Sequence, residues 1–194
     1  MNRTIGLVLF EDAEELDWVG PFEVLTNAAK DGDRVVLVSQ EPGPIKGAKG
    51  MRVLTDHTFD DCPPLDVVLV PGGVGTRTEM KNEVLLSFVR KQAEAAEWTT
   101  SVCTGAFVLA SAGLLEGRRA TTHWLTFDEL RKHHPDLDLD PDARWVVDGN
   151  VVTAAGVSAG IDMALWLVGQ LYDVEHARTV QGWIQYDPDP PYQD

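Results

Sequence analysis

One cysteine of the sequence lies where a catalytic nucleophile is expected, at the junction of a predicted strand and a predicted helix. Residues 98–102, just before Cys103, suit a buried strand, and residues 106–115 carry apolar side chains at helical intervals. Such a corner holds its apex side chain in tight geometry beside a helix N-terminus, where the helix dipole favours a thiolate over a thiol. The alternative is an inert buried thiol, the usual state of a free cysteine. The residues of the corner alone leave both interpretations open.

Two further segments follow predicted strands and carry residues with possible chemical roles. Gly72 and Gly73 come directly after the apolar residues 67–70, and two glycines let backbone N–H groups approach a ligand and hold developing charge. Asp17 has a large apolar residue on each side, so partial burial is expected to raise its pKa and let it share a proton with a thiolate. The alternatives are an ordinary tight turn for the glycines and a helix-dipole role for the carboxylate.

Segments with strand and helix patterns alternate along the chain, which is typical of a parallel sheet with helices on both faces. The predicted strands cover residues 4–10, 34–39, 66–70 and 98–102, and the predicted helices cover residues 16–29, 82–96 and 106–115. In such sheets ligands bind beyond the carboxyl ends of the strands, which is where all three candidate segments lie. The predicted fold class is therefore α/β with a mainly parallel sheet.

The C-terminal third is predicted to add a hairpin and two helices. Residues 144–153 read as two strands joined at Asp148 and Gly149, and helical patterns follow at residues 158–172 and 174–183. The proline-rich residues 187–191 are expected to be extended. Because no linker, repeat or change of composition divides the chain, we expect one domain over residues 1–194.

Composition limits the partners of this chain. Its 16 Lys and Arg residues against 31 Asp and Glu residues give a formal net charge of −15, so nucleic acid and membranes are not expected as partners. Acidic residues from Glu11 onward interrupt the apolar N-terminus, which argues against a signal peptide. Two widely separated cysteines, Cys62 and Cys103, favour free thiols in the cytoplasm. No metal is expected, because the histidines lack metal-binding spacing and two cysteines are too few for a multi-cysteine zinc site.

Four short motifs together resemble the ThiJ/PfpI superfamily, and the similarity extends over most of the chain. The superfamily has a flavodoxin-like fold related to the class I glutamine amidotransferases, so the resemblance implies a three-layer α/β/α sandwich and a homodimer. Within it, the chain most resembles the isocyanide (isonitrile) hydratases. The motifs are Asp17 in Leu-Asp-x-x-Gly-Pro, Val70-Pro71-Gly72-Gly73, Thr100-Ser101-Val102-Cys103-Thr104-Gly105 and Ala120-Thr121-Thr122-His123-Trp124.

The resemblance also argues against other activities of the superfamily. Peptidase-like members have a histidine directly after the nucleophile, where this chain has Thr104. Members similar to deglycases place a glutamate beside the cysteine, whereas the matching motif here supplies Asp17. Related transcription regulators continue into a basic DNA-binding region, whereas the tail here is acidic and rich in proline.

The implied reaction is hydration of an isocyanide to an N-substituted formamide without a cofactor. Cys103 as thiolate would attack the terminal carbon to give a thioimidate, Asp17 would move the protons, and Thr104 would orient one of the two. The pocket for the substrate's organic group would be lined by Trp18, His123, Trp124 and Val157. Two alternatives remain: a glyoxalase or deglycase acting on small carbonyl compounds, and a non-catalytic redox or ligand sensor with an oxidisable cysteine.

Overall fold

Strands and helices alternate along residues 2–189, the part of the chain described by the computed structural model. The strands are β1 (Thr4–Val8), β2 (Arg34–Ser39), β3 (Pro44–Lys46), β4 (Arg52–Leu54), β5 (His57–Thr58), β6 (Val67–Val70), β7 (Trp98–Val102), β8 (Arg119–Ala120), β9 (Asp138–Leu139), β10 (Trp145–Asp148) and β11 (Val151–Ala154). The α-helices are α1 (Glu15–Ala28), α2 (Thr76–Glu79), α3 (Glu83–Ala93), α4 (Gly105–Ser111), α5 (Phe127–His133), α6 (Ala159–Leu171) and α7 (Val174–Trp183). A short 3₁₀ helix covers Trp124–Thr126.

Seven of these strands form one sheet, in the order β10-β11-β7-β6-β1-β2-β5. Its neighbours run parallel except β10 and β11, which form the predicted antiparallel hairpin. From β1 the chain moves to β2 in one direction, and from β6 it moves to β7 in the other. Right-handed crossovers therefore place α1 on one face and α3 on the opposite face. Helices α6 and α7 pack with α1, and α4 packs with α2 and α3. The flavodoxin-like three-layer sandwich is confirmed.

The two strands at the centre of the sheet are completely buried. All four residues of β6 and all five of β1 are buried, as expected for strands covered on both faces. Strands β1 and β6 are neighbours from which the chain proceeds in opposite directions, so a crevice opens between the loops at their carboxyl ends. This crevice lies beside the carboxyl end of β7. The three candidate segments follow these three strands.

Helix α1 approaches the rest of the molecule closely through the second half of its Leu-Asp-x-x-Gly-Pro motif. A Cβ added at Gly20 would lie 2.8 Å from the Ile161 side chain of α6. On the facing helix, a Cβ at Gly160 would lie 3.0 Å from Val102 and 3.3 Å from Pro21. The two glycines thus allow α1, α6 and β7 to pack in contact, which fixes the start of α1 against the strand that leads to the cysteine.

Several element boundaries differ from the prediction. Strand β1 ends two residues early at Val8, and α4 ends at Ser111 although apolar residues continue to residue 115. Turns around Gly113, which has a φ of 77°, explain the early end of α4. The β3–β4 hairpin was not predicted, because its three-residue strands are short and mostly exposed. In the predicted extended tail, residues 187–189 have no regular structure, and Pro190 and Pro191 lie outside the described residues. No helix within residues 2–189 is long and apolar enough to cross a membrane.

Candidate active site

Cys103 forms a sharp corner between β7 and α4. Its φ is 56°, a left-handed conformation that is strained for a residue with a side chain. Its N–H lies 3.0 Å from the carbonyl oxygens of both Ala154 and Ala155, at the end of β11. A Cβ at Gly105 would lie 2.2 Å from the carbonyl oxygen of Val70, so only glycine allows the helix to start this close to β6. The predicted strand-to-helix corner is confirmed.

Asp17 lies in the first turn of α1 and is completely buried. Its Oδ2 accepts a hydrogen bond from the Gly72 N–H at 2.9 Å. Its Oδ1 has no hydrogen-bond partner among the described residues, and the carboxyl lies near enough to the Cys103 side chain for each group to shift the pKa of the other. The structure therefore brings the predicted acid and the predicted nucleophile together, with one carboxyl oxygen held by the backbone and the other free for the thiol.

Burial gives this pair unusual protonation behaviour. Burial raises the pKa of Asp17 to about 7, with a further rise from the charge of Glu14, and these effects exceed the lowering by the Gly72 N–H. Burial, followed by the charge of Asp17, also raises the pKa of Cys103 to about 12, although the N–H groups of Thr104 and Val157 lower it. Just above neutral pH the pair thus carries one proton, which resides on sulfur. This differs from the resting thiolate expected from the helix N-terminus, because desolvation of the thiol outweighs that effect.

The hydrogen bonds of Thr104 and the two glycines also differ from the roles predicted for these residues. The Thr104 hydroxyl donates to the Gly73 carbonyl at 3.1 Å and accepts from the Gly73 N–H at 2.9 Å, so it orients neither Asp17 nor sulfur. The Gly72 N–H is engaged by Asp17, so neither glycine has a free N–H for developing charge. A Cβ at Gly72 would lie 2.5 Å from the Thr104 nitrogen. These residues hold the acid and the corner together, and the N–H groups that face sulfur belong to Thr104 and Val157.

Of the four predicted pocket residues, Val157 is next to the sulfur. Its φ of 43° is left-handed, and its N–H lies near enough to the Cys103 thiol to lower the pKa of that group. Trp18 is 6% exposed and packs in the hydrophobic core, whereas Trp124 is 72% exposed at the surface. That both tryptophans line one apolar pocket for the substrate stays a prediction.

His123 lies beside the site, and its imidazole forms a hydrogen bond to the backbone and none to Cys103 or Asp17. Its Nδ1 accepts from the Leu125 N–H at 3.2 Å and caps the short 3₁₀ helix. A Cβ at Gly156, the residue before Val157, would lie 2.5 Å from its ring. Burial and the charge of Arg77 lower the pKa of His123, which favours the neutral imidazole. These contacts give His123 a structural role beside the site.

Three charged residues near Asp17 were missed by the sequence analysis. Lys49, between β3 and β4, donates to Glu14 Oε2 at 2.7 Å, and both charges act on Asp17. Buried Glu15 holds this loop, because its Oε1 accepts from the N–H groups of Lys49 and Met51 at 2.7 and 3.3 Å. Glu14 and Glu15 precede Asp17 directly and could have been considered, but nothing in the sequence placed Lys49 beside them.

The remaining thiol and histidines lie apart from this chemistry. Cys62 donates to the Pro63 carbonyl at 3.3 Å, and burial raises its pKa to about 11. Both cysteines are free. Within residues 2–189, no group of three or more His, Cys, Asp or Glu side chains is arranged to hold a metal ion.

Comparison with known proteins places this site in a family. The sequence profile of the DJ-1/PfpI family matches residues 3–170. The chain belongs to the DJ-1/PfpI family. Over 193 residues it is 44% identical to the isonitrile hydratase of Pseudomonas putida, which covers 99% of this chain and 82% of that protein. The predicted resemblance to ThiJ/PfpI proteins is thereby confirmed.

Other relatives show how widely this DJ-1/PfpI domain is used. The crystal structure of a ThiJ/PfpI family protein from Pseudomonas syringae superimposes with a TM-score of 0.91 at 33% identity, over 99% of this chain and 78% of that chain. The HTH-type transcriptional regulator CdhR of Pseudomonas aeruginosa is 31% identical over 162 residues, which is 84% of this chain but only 48% of the regulator. The family thus includes a hydratase and a regulator that are both similar to this chain.

Proposed function

We propose that this protein hydrates isocyanides to N-substituted formamides, with Cys103 as the nucleophile and Asp17 as the proton carrier. The observation that carries the proposal is the buried Cys103–Asp17 pair, which holds one proton just above neutral pH. The 44% identity to an isonitrile hydratase over 99% of the chain supports the same substrate class. The reaction adds the elements of water to one carbon atom, which a nucleophile and a proton carrier accomplish without a redox step.

In the first step, the thiol adds across the terminal carbon of R–N≡C. Asp17, ionised at rest, takes the proton from Cys103 as sulfur attacks, and then delivers it to the same carbon. The product is the thioimidate Cys103–S–CH=N–R, and the Asp17 carboxylate is regenerated. The N–H groups of Thr104 and Val157 stabilise the negative charge that develops on sulfur during the transfer.

In the second step, water hydrolyses the thioimidate. Asp17 takes a proton from water as its oxygen attacks the carbon, and the nitrogen receives that proton. The tetrahedral intermediate then collapses: the C–S bond breaks, a C=O bond forms, and the hydroxyl proton passes through Asp17 back to sulfur. The formamide R–NH–CHO leaves and the Cys103 thiol is restored, so protons balance over the cycle.

The environment of Asp17 suits both directions of transfer. A carboxyl group with a pKa of about 7 accepts and releases a proton with little free-energy cost near neutral pH. Its Oδ2 is fixed by the Gly72 N–H, so the free Oδ1 is presented to the reacting atoms. A typical exposed aspartate, with a pKa near 4, would be a much weaker base.

The test is formamide production from a simple aromatic isocyanide by purified protein. Wild type is expected to turn over, and Cys103→Ala and Asp17→Ala are expected to lose turnover while remaining folded. Cys62→Ala is the matched control, since it removes the other free thiol, which lies outside the site. Lack of turnover by wild type at every pH between 5 and 9 would refute the proposed activity.

The two alternatives give different results in the same preparation. A glyoxalase or deglycase would consume small carbonyl compounds in a Cys103-dependent reaction and leave the isocyanide intact. A sensor would turn over neither substrate, and its Cys103 would be oxidised to sulfinic acid at low peroxide. The similarity to CdhR is the observation that keeps a sensor in consideration.

We further propose a homodimer that acts in the cytoplasm. Large apolar side chains near the carboxyl edge of the sheet are exposed, among them Val74 at 67%, Trp124 at 72% and Leu125 at 66%. Burial of such side chains at an interface between two copies would be favourable. Light scattering is expected to give twice the protomer mass, and a monomeric mass would contradict the dimer. The free state of Cys62 and Cys103 supports a reducing compartment.

A further inference from the structure

The backbone of Cys103 is held at both ends by hydrogen bonds from outside its own strand and helix. Its N–H is satisfied by the Ala154 and Ala155 carbonyls, each at 3.0 Å. Its carbonyl oxygen accepts a hydrogen bond from the Thr122 hydroxyl at 2.9 Å. A left-handed residue with a side chain persists only when its surroundings hold it there. The bonds to both peptide groups of Cys103 are therefore part of what keeps the corner in its observed shape.

Thr122 is well placed to act on the corner. Its side chain is completely buried, and it lies between β8 and the short 3₁₀ helix, on a segment separate from β7 and α4. Thr126 Oγ1 lies 3.4 Å from its hydroxyl and donates to the His123 carbonyl at 2.9 Å. These contacts order the segment that carries Thr122 without involving the corner.

We propose that Thr122 is the positioning residue of the Ala-Thr-Thr-His-Trp motif, whose hydroxyl holds the Cys103 peptide so that the sulfur meets Asp17. The proposal rests on the proposed function, in which Cys103 is the nucleophile. In this proposal Thr122, and not His123, is the residue of the motif that acts on the nucleophile. It requires no contact between Thr122 and substrate. Without this bond, the carbonyl of Cys103 is a buried acceptor without its partner, and the corner relaxes.

The preceding residue supplies a matched control. Thr121 is equally buried, but its hydroxyl has no hydrogen-bond partner among the described residues. Its backbone N–H donates to Thr153 Oγ1 at 2.8 Å, a bond that survives a change of side chain. Thr121→Val and Thr122→Val therefore make the same isosteric substitution at adjacent, equally buried positions, and only Thr122→Val removes a bond to the nucleophile.

The experiment measures turnover of an aromatic isocyanide and, separately, the rate of Cys103 alkylation by iodoacetamide at pH 8. A Cys62→Ala background leaves one thiol. Thr122→Val is expected to lower kcat roughly tenfold or more with little change in KM, because a displaced nucleophile slows the chemical step. It is also expected to raise the alkylation rate at pH 8 by about threefold or more, because sulfur leaves the charge of Asp17, which raises the pKa of the thiol. Thr122→Ser is expected to restore both quantities, and Thr121→Val to leave both unchanged.

Equal kcat and equal alkylation rates for Thr122→Val and Thr121→Val would overturn the proposal. If Thr122→Val does not fold, Thr122→Ala is compared with Thr121→Ala under the same criterion. The alkylation measurement needs no isocyanide. If wild type fails to hydrate isocyanides, the proposed function fails, while the effect of Thr122 on Cys103 is still measured.

Discussion

Replacing Asp17 by asparagine is expected to stabilise the fold while abolishing hydration. The asparagine oxygen still accepts the Gly72 N–H, so the main structural contact of the side chain is retained. What is lost is a buried negative charge and the proton carrier. A residue kept for chemistry at the expense of stability behaves in this way.

The size of the effect follows from the pKa of Asp17. Its rise from 3.8 to about 7 corresponds to about 4 kcal/mol of free energy of unfolding. Because the folded-state pKa is raised, the folded protein retains a proton that the unfolded chain has released between these values. Wild-type stability from this group is therefore lost as pH rises from about 4 to 7, and the loss is complete above pH 7. About 3 kcal/mol of this loss in the free energy of unfolding occurs between pH 5 and pH 8.

The assay is urea unfolding of wild type and Asp17→Asn at pH 5 and pH 8. The variant is expected to be more stable than wild type at pH 8, by an amount that exceeds its advantage at pH 5 by about 3 kcal/mol. An Asp17→Asn advantage that is equal at the two pH values, or a variant less stable than wild type at pH 8, would refute the reasoning.

The same substitution at Asp33 provides a control of opposite sign. Tyr172 donates to Asp33 Oδ2 at 2.6 Å, and the N–H of Arg3 donates to Oδ1 at 2.7 Å. Hydrogen bonds, that of Tyr172 foremost, outweigh burial and lower the pKa of Asp33. Its ionised form stabilises the fold above the unfolded pKa, and this contribution is lost as pH falls. Asp33→Asn is therefore expected to be less stable than wild type at both pH 5 and pH 8.

Three further outcomes are expected. Lys49→Met should move the acid limb of the pH profile of kcat/KM to higher pH, because Lys49 lowers the pKa of Asp17. Glu14→Gln should move it to lower pH, because Glu14 raises that pKa. Shifts of the two variants in the same direction would contradict this assignment. Gly72→Ala should abolish turnover in steady-state assays, because its Cβ would lie 2.7 Å from Asp17 Oδ2, and an active variant would show that this close approach is dispensable. His123→Gln should keep kcat within about threefold of wild type, whereas loss of a general acid or base costs roughly 10²-fold or more.

Much of the fold was predictable because its central strands have distinctive sequences. The unbroken apolar run of β6 is confirmed as a strand buried on both faces, and the hairpin is confirmed with its turn at Gly149 and Asn150 instead of Asp148 and Gly149. The short elements were not predictable, because two- and three-residue strands such as β3 and β8 have no periodicity to detect. The extent of one domain over residues 1–194 stays a prediction.

For the site, the sequence predicted which residues meet but not how they share hydrogen bonds. The pairing of Cys103 with Asp17 follows from their positions after β7 and β1, the two strands that flank β6, and both periodicity and the superfamily motifs indicate those positions. The protonation state of the pair does not follow from the sequence, because it depends on how completely the packing around the two side chains excludes water. Likewise, nothing in the sequence distinguishes Thr122, which contacts the nucleophile, from Thr121, whose hydroxyl has no partner among the described residues.

The buried charge of the Cys103–Asp17 pair has a consequence for what can enter the site. Above neutral pH the pair holds one negative charge in surroundings that exclude water. A second negative charge brought into such surroundings would be repelled strongly, since the low dielectric weakens screening. The charge of the pair therefore favours the binding of uncharged electrophiles over that of carboxylates and phosphates. An isocyanide is small and carries no net charge, so the pair does not repel it. The same holds for the formamide product when it leaves.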